Sequence, residues 1–429
     1  MAREMKDSGV QWIGEIPAEW KVLRAQSAFS EVKRKNTDGA VKNALQFKFG
    51  TIIPKQNFEA DTDDYVADTI TNYTVVQPGT VMINGLNLNY DFKTQRTALV
   101  KEEGVITSAY LALWPDRDMI IPEYATYLFK GYEVRMALHN MGSGIRLTLG
   151  YKEFKSQPVL LPSLEEQKRI VSFLDNVCLC IDSIIDQTRA SIEEYKKLKQ
   201  AVITQAVTKG IRPDRPMKDS GVEWIGDIPE EWECKPIKYV AVFQPTCDTS
   251  HLSEDSEITY IPMECLKNGY FIANTGRYGV LASSLTPFVD GDIAMAKVTP
   301  CFENGNIAIM EGLCSGFGMG SSELFIYRPY SIQALFLLYW LQNDLFKQAA
   351  CATMTGTGGL KRVSSYFAKH SKIAVPGEEE QFQIISYLTS YCAEIDRLIE
   401  AKQQMLDQLE AYKKSVIYEY VTGKREVTA

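Results

Sequence analysis

Basic and amide side chains, many of them close to glycines, are the residues of this sequence best suited to bind a ligand. Arginine suits guanine edges, asparagine suits adenine edges, and lysine near glycine-rich backbone suits phosphates. Each residue taken singly is also typical of a solvated surface, so the glycine-flanked Arg146, Lys361 and Arg362 are the best candidates. The full predicted DNA-contact set is Lys33, Arg34, Asn84, Asn87, Asn89, Arg96, Arg146, Lys152, Lys267, Arg277, Lys297, Asn304, Asn306, Lys361 and Arg362.

Catalytic motifs are missing from the sequence. It contains no Asn/Asp-Pro-Pro-Tyr/Phe/Trp motif for adenine methylation and no GxxxxGK[ST] loop for ATP. The glycine-rich Gly316–Gly320 leads into a predicted strand, whereas a dinucleotide loop opens a helix. His139, His251 and His370 are isolated, so neither a triad nor a metal site is predicted. We therefore expect a protein without catalysis of its own.

Length and composition indicate a multidomain protein. The 429 residues, 45% of them hydrophobic, are enough for two or three cores. The longest apolar run, 334–341, is far shorter than the roughly 20 residues of a membrane span, and we expect a cytoplasmic protein with reduced cysteines. The net charge of −8 does not favour nucleic acid, but much of the acid lies at helix starts such as 163–167 and 377–381. Basic surface elsewhere is compatible with that distribution.

The chain repeats a three-part unit. The connector MKDSGVQWIGEIPAEW begins at Met5, and MKDSGVEWIGDIPEEW begins at Met217. A second matched pair, beginning at Leu161 and Val375, follows at an offset of 214 positions without gaps. A divergent block separates the connector from this second segment in both copies. The unit is therefore a connector, a variable block and a long amphipathic segment.

The long segments have the apolar spacing of paired helices. Alternating steps of four and three residues predict two long helices that pair as an antiparallel coiled coil. Ser163 with Glu166 predicts a capping box at the first helix start, and Gly377 with Glu380 stands in the equivalent place. The alternative is two amphipathic helices packed on separate cores. The predicted seam is Ile170, Leu174, Val177, Ile181, Ile184, Thr188, Ser191, Tyr195, Leu198 and Val202, with Ile384, Leu388, Tyr391, Ile395, Leu398, Lys402, Met405, Leu409, Tyr412 and Val416.

The divergent blocks, 21–160 and 235–374, have the pattern of α/β domains. Each contains short strands around a glycine turn, a β stretch ending at proline, an amphipathic helix and a glycine-rich close. The prediction is an α+β protein with two α/β domains separated by the two long helices, in an internal pseudo-twofold repeat. The predicted boundaries are 1–160, 161–210, 211–374 and 375–429. One scaffold with two sets of loops is what two readers of two different targets would need.

Four motifs that each occur twice carry a family resemblance. They are the W-I-G-x-I-P-x-x-W connector, the PGT or DGD turn, the glycine-rich close and the L/V-P-x-x-E-E-Q-x-x-I helix start. Together, over essentially the whole chain, they resemble the specificity (S) subunit of type I restriction-modification systems. The resemblance implies that the two α/β blocks are target recognition domains, each reading half of a bipartite double-stranded DNA site. It implies that the helices space these domains and dock two modification subunits.

The resemblance also implies partners and cofactors outside this chain. Modification subunits would bind S-adenosylmethionine and methylate an adenine in each half-site, and restriction subunits would add ATP- and Mg-dependent translocation and cleavage. No cofactor is expected in this chain itself. Two alternatives stay open: an orphan specificity adaptor without a restriction partner, and a coiled-coil scaffold whose repeated domains grip protein rather than DNA. The target bases depend on loop geometry, which sequence patterns do not specify.

Overall fold

The computed structural model describes residues 3–55, 70–89, 95–144, 147–281, 285–357 and 359–427. The chain forms two compact units. Unit 1 comprises Met1–Arg189 with Gln404–Ala429, and unit 2 comprises Ala190–Gln403. Each unit thus contains one divergent block together with parts of both long helices. The division falls inside the helices, whereas the sequence pattern placed boundaries at the helix ends.

Unit 1 is built from short strands, two helices of the block and the first part of a long helix. Its strands are β1 Met5–Asp7, β2 Glu15–Pro17, β3 Lys21–Arg24, β4 Phe29–Glu31, β5 Leu45–Lys48, β6 Thr51–Pro54, β7 Thr74–Val76, β8 Val81–Ile83, β9 Thr97–Leu99, β10 Gly104–Ile106, β11 Leu111–Pro115 and β12 Pro158–Leu161. Its helices are α1 Pro122–Val134, α2 Tyr151–Phe154 and the beginning of α3 Leu164–Lys209.

Unit 2 repeats this order with longer strands. Its strands are β13 Met217–Asp219, β14 Asp227–Pro229, β15 Glu233–Pro236, β16 Ala241–Phe243, β17 Glu257–Ile261, β18 Asn274–Arg277, β19 Thr286–Val289, β20 Ile293–Ala296, β21 Ile307–Ile309, β22 Phe317–Gly320, β23 Leu324–Pro329 and β24 Lys372–Val375. Its helices are α4 Tyr278–Leu281, α5 Ala334–Gln342, α6 Asp344–Ala352, α7 Ser365–His370 and the beginning of α8 Glu378–Val421.

The two blocks share the topology of their central sheet. The central sheet has the strand order β4-β11-β8-β9 in unit 1 and β16-β23-β20-β21 in unit 2, antiparallel throughout. A two-stranded pair closes the ends of each block, β3 with β12 and β15 with β24. The predicted α/β character and the internal repeat are confirmed.

One inner strand of each central sheet, β8 in unit 1 and β20 in unit 2, is buried on both faces. Val81 and Ile83 of β8 pack in a core with Tyr124 and Leu128 of α1, and Met82 between them packs in a second core. Strand residues alternate between faces, so one short apolar strand contributes to both cores. In unit 2, β20 divides its side chains between two cores in the same way. The loop that follows this strand therefore leaves from a rigid base.

The long helices pair antiparallel within each unit. In unit 1, Lys413 Nζ lies 2.6 Å from the Asp182 carboxylate, and an Arg189–Glu410 pair follows at 3.0 Å. In unit 2, Lys199 and Asp396 meet at 2.7 Å. Residue numbers rise along α3 as they fall along α8, which confirms the antiparallel pairing. Among the described residues, no helix is both long and apolar enough to cross a membrane.

The buried stripe of these helices departs from the predicted heptad seam. Buried apolar positions recur every 11 residues, about 3.67 residues per turn, which is close to the 3.6 of a straight helix. A heptad stripe drifts about 20° per repeat on a straight helix, so its later positions leave the contact. The recurring buried positions are Ile170, Ile181, Ile192 and Ile203 on α3, with Ile384, Ile395, Leu406 and Ile417 on α8. The seam prediction is wrong at the exposed Ile184, Leu198, Tyr391, Leu398, Met405 and Tyr412.

Candidate nucleic-acid interface

In unit 1, the loop after β8 is hydrogen-bonded to a glycine-rich hairpin. Leu149 N donates to Gly85 O at 2.9 Å, and Leu88 N donates to Leu147 O at 3.2 Å. Ser143 and Thr148 pair across the hairpin. A Cβ on Gly85 would stand 2.3 Å from Leu149 O, so this approach of two backbones requires glycine.

Unit 2 builds the same arrangement after β20. Val363 N donates to Lys297 O at 2.9 Å, and Thr299 N donates to Lys361 O at 2.9 Å. Thr355 and Arg362 pair across the hairpin as Ser143 and Thr148 do in unit 1. We use the name hairpin frame for this loop, the second arm of its hairpin and the residue of the first arm that pairs with it. It consists of Gly85, Leu88, Ser143 and Leu147–Leu149 in unit 1, and of Lys297, Thr299, Thr355 and Lys361–Val363 in unit 2.

The hairpin frames carry different side chains at matched positions. Where unit 1 has Gly85, unit 2 has Lys297, because both carbonyls accept the equivalent hydrogen bond. At the paired position of the hairpin, Thr148 is replaced by Arg362. Two surfaces with the same backbone therefore present different hydrogen-bond donors.

Three predicted contact residues of unit 2 lie on this frame, and two of them share an acidic partner. Arg362 Nε and Nη2 donate to the Glu323 carboxylate at 2.9 and 2.8 Å. Lys297 Nζ donates to Ser322 O at 2.8 Å and lies 3.9 Å from Glu323. The hydrogen bonds from Arg362 lower the pKa of the Glu323 carboxyl below its ordinary value. Lys361 is exposed beside this pair.

The remaining predicted residues of unit 2 occupy neighbouring segments. Asn304 and Asn306 lie in the turn between β20 and β21, and Asn306 O accepts from Ala296 N at 2.9 Å. Lys267 O accepts from Ile307 N at the start of β21. Arg277 ends β18 in a second four-stranded sheet of unit 2, with the order β18-β17-β22-β19, and its exposed side chain pairs with Asp255 at 3.4 Å. The β20–β21 turn thus groups most of the set, and Arg277 belongs to a different sheet.

In unit 1, the asparagines of the predicted set follow β8. Asn84 Oδ1 accepts from Leu86 N at 3.2 Å, which shapes the loop, and Asn87 is exposed with φ of +51°. Asn89 is partly buried at the end of the same described segment. These three residues remain predicted contacts.

The basic residues predicted in unit 1 are spread over several segments. Lys33 and Arg34 are exposed after β4, and Lys33 pairs with Glu31 at 3.2 Å. Lys152 is exposed on α2. Arg146 lies outside the described residues.

Arg96 is placed inside the domain rather than on its surface. Only 1% of this residue is exposed, and its Nη1 donates to the carbonyls of Asn84 at 3.0 Å and Leu86 at 2.8 Å. Because the guanidinium donates to two backbone carbonyls of the loop, it organises that loop. We therefore correct the prediction for Arg96 and assign it to the shape of the loop instead of to DNA contact.

Sequence reasoning missed a pair of clamps at the helix starts. Trp20 Nε1 donates to Glu166 at 3.0 Å, and Arg3 donates to the same carboxylate at 2.6 Å. In unit 2, Trp232 Nε1 donates to Glu380 at 2.8 Å, and Arg215 pairs with it as well. The signal was the recurrence of the last tryptophan of each connector together with the glutamate that directly precedes the glutamine of each helix start.

The clamps alter the predicted helix caps. Ser163 Oγ accepts from Glu166 N at 3.2 Å, which is one half of a capping box. The Glu166 carboxylate is instead held by the connector. The next residue is buried in both copies: Gln167 Oε1 accepts from Ile121 N, and Gln381 Oε1 accepts from Gln333 N, each at 2.9 Å. The E-E-Q motif thus ties each helix start to the connector and to the segment before α1 or α5.

In the part of the chain that the structure describes, no group of three or more His, Cys, Asp or Glu side chains could hold a metal ion. The cysteines of the chain are free thiols. The arrangement on the hairpin frames is suited to hydrogen bonding with a polar, anionic surface.

Comparison with known proteins finds similarity to one family. Residues 82–194 match the family model described as the type I restriction modification DNA specificity domain. Over 431 aligned residues, 96% of this chain and 94% of the relative, the sequence is 26% identical to the type I restriction enzyme MjaVIII specificity subunit of Methanocaldococcus jannaschii. Over nearly its whole length, the chain is therefore similar to a specificity subunit of a type I restriction-modification system.

Two further specificity subunits match this chain over a smaller share of their length. The chain is 34% identical to the EcoAI specificity subunit of Escherichia coli over 195 residues, which are 44% of this chain and 32% of that protein. The EcoEI specificity subunit of Escherichia coli is 31% identical over 38% of its length. The aligned region thus spans about a third of these two family members.

Solved structures share the fold of this chain. A chain from a study of the assembly and conformational transition of the type I R-M system has a TM-score of 0.72 at 14% identity, covering 96% of this chain and 99% of that chain. The crystal structure of the HsdS subunit from Thermoanaerobacter tengcongensis has a TM-score of 0.52 at 14% identity, covering 96% and 98%. At this identity, the likeness concerns the specificity-subunit fold alone.

Proposed function

We propose that this chain is a DNA sequence-specificity subunit that recognises a bipartite target, with each unit reading one half-site. The observation that carries the proposal is the hairpin frame. Gly85 and Lys297 accept equivalent backbone hydrogen bonds, as do Leu147 and Lys361, while Thr148 and Arg362 pair equivalently across the hairpins. Two copies of one frame with different donors are suited to two different base sequences.

The chemistry of the exposed side chains supports DNA as the ligand. Lys361 and Arg362 are exposed on the frame of unit 2, and Asn304 is exposed in the turn before β21. Asn87 is exposed on the loop of the frame in unit 1. Arginine and asparagine offer the paired donors and acceptors that base edges require, and lysine suits phosphates. A loop fixed by backbone hydrogen bonds presents such groups at low cost in conformational entropy.

The proposal extends to the partners. Two modification subunits would dock on the paired helices α3 and α8, bind S-adenosylmethionine and methylate an adenine in each half-site. Restriction subunits with ATP and Mg would join the same complex. In this proposal the chain contributes sequence recognition and no catalysis.

The test is selection from a randomised duplex DNA pool by the full-length chain, alone and co-purified with a modification subunit. We expect two defined half-sites separated by unspecified bases. Replacing Lys21–Leu160 with the equivalent block of another specificity subunit should change one half-site and leave the other intact. Changes in both halves would contradict independent reading by the units.

The same selection separates the two alternatives. A coiled-coil scaffold that grips protein would enrich no DNA sequence in any form of the complex. An orphan adaptor would enrich the bipartite site and co-purify with the modification subunit, but it would not assemble with a restriction subunit. The co-purification is therefore run with both partner types.

A further inference from the structure

We propose that Glu323 is a positioning residue that holds Arg362 so that the free edge of its guanidinium reads a guanine in the half-site of unit 2. The inference rests on the proposed function and assigns the group that sets one base of that half-site. It concerns three side chains of the unit 2 hairpin frame and the turn beside it: Lys297, Glu323 and Arg362.

The geometry leaves one edge of the guanidinium available. Arg362 Nε and Nη2 both donate to the Glu323 carboxylate, at 2.9 and 2.8 Å, which fixes the plane of the group. One hydrogen of Nη1 and the second hydrogen of Nη2 lie side by side on the adjacent edge. Guanine presents O6 and N7 side by side in the major groove, and two adjacent donors match them. The Arg362 side chain is 48% exposed, so this edge is accessible to a ligand.

Lys297 is a second cation beside Glu323. Its Nζ donates to Ser322 O at 2.8 Å and stands 3.9 Å from the Glu323 carboxylate. The carboxylate therefore has two cations nearby, and the hydrogen bonds from Arg362 lower its pKa, so it stays ionised at neutral pH. An ionised, doubly held carboxylate restricts Arg362 to one orientation, whereas a lone surface arginine samples many.

Unit 1 shows that the fold does not need this set. The turn that carries Glu323 is matched by the turn that carries Ala109: the amide of each donates to a hydroxyl two residues earlier, Ser321 Oγ at 3.2 Å and Thr107 Oγ1 at 3.4 Å. Ala109, Thr148 and Gly85 thus occupy the positions of Glu323, Arg362 and Lys297. The same backbone forms without any of the three charged groups. The three charged groups of unit 2 therefore determine the chemistry of its surface and are not required for its backbone fold.

The test compares Glu323→Gln and Arg362→Lys with the unchanged full-length chain in selection from a randomised duplex DNA pool. Glutamine cannot accept two parallel hydrogen bonds, and lysine keeps the charge but lacks the fork. We expect both variants to lose preference for guanine at one position of the unit 2 half-site by about 5- to 150-fold. The melting temperature should stay unchanged, since Glu323 and Arg362 lie at the surface, with 28% and 48% of their side chains exposed.

Two controls separate positioning from general affinity. Lys361→Ala, which removes an exposed charge on the same hairpin, should weaken binding to all sequences and lower the salt dependence without changing the preferred base. The half-site of unit 1 should be the same in every variant. An unchanged preference in Glu323→Gln, with or without an effect of Arg362→Lys, would overturn the role of Glu323. A parent chain that enriches no sequence would instead refute the proposed function.

Discussion

The indole Nε1 of Trp20 donates to the carboxylate of Glu166 at 3.0 Å, and Trp232 makes the same bond to Glu380 at 2.8 Å. Both tryptophans have no exposed surface. Each connector therefore docks its last residue on the start of a long helix. This contact gives a physical reason for the close repetition of the connector in a chain whose blocks diverge. The connector must match a helix start that is itself repeated.

Replacing the clamp tryptophan should destabilise the unit that contains it. Trp232→Phe removes the donor to Glu380, and a hydrogen bond to a charged group contributes about 1.5–3 kcal/mol. The measurement is the free energy of unfolding from urea denaturation. Tyr366→Phe is the matched control, because Tyr366 is 74% exposed and should change stability by less than about 0.5 kcal/mol. Equal effects of the two substitutions would argue against the clamp.

The 11-residue stripe predicts which helix positions stabilise unit 2. Ile192 is 6% exposed, so Ile192→Ala should cost about 2–5 kcal/mol of unfolding free energy. Leu198 belongs to the heptad seam but is 41% exposed, and Leu198→Ala should cost less than about 0.5 kcal/mol. Urea denaturation of both variants decides between the two spacings. A larger loss for Leu198→Ala would restore the heptad seam.

Arg96 should affect the loop of unit 1 rather than the affinity for phosphate. Arg96→Ala deprives the carbonyls of Asn84 and Leu86 of a donor and should cost about 1–3 kcal/mol. The half-site of unit 1 should lose definition in selected DNA, while that of unit 2 stays the same. Arg34→Ala, at an exposed position, is the control and should leave the free energy of unfolding unchanged. Undisturbed stability of Arg96→Ala would contradict the assignment.

Gly85 should tolerate no side chain. A Cβ there would lie 2.3 Å from Leu149 O, so Gly85→Ala must push the loop away from the hairpin at a cost of about 1–3 kcal/mol. Gly377→Ala is the control, because nothing lies within 4 Å of the Cβ added there. Thermal unfolding and DNA selection report on the two effects. A Gly85→Ala chain with normal stability and an intact unit 1 half-site would show that the frame is not needed.

The buried carboxyl of Glu133 should make the stability of unit 1 depend on pH. Burial raises the pKa of its carboxyl, although Thr97 Oγ1 and Arg96 N donate to it. The folded state then holds the proton more tightly than the unfolded state, so this group stabilises the fold at low pH and loses that contribution as pH rises through the raised pKa. As the pH falls from 7 towards the ordinary pKa of a glutamate carboxyl, about 4.3, the unchanged protein should gain unfolding free energy. Glu133→Gln should lack this gain. Identical pH profiles would contradict the raised pKa.

Local patterns in the sequence were sufficient to predict the repeat, the α/β blocks, the two long helices and the family resemblance. A duplicated connector and a helical apolar spacing are properties of neighbouring residues, so they are visible without the fold. The predicted grouping of Lys361 and Arg362 on a glycine-rich segment was local in the same sense, and both residues lie on the hairpin frame of unit 2.

Only the tertiary structure decided which polar groups meet. Trp20 and Glu166 are 146 positions apart, and Arg362 and Glu323 are 39 apart. The burial of Arg96 depends on the carbonyls of Asn84 and Leu86, which lie in a separate loop. The 11-residue stripe depends on how straight the paired helices run. Hydrogen bonds and burial act through distance in space, and a chain pattern specifies that distance only within a single element.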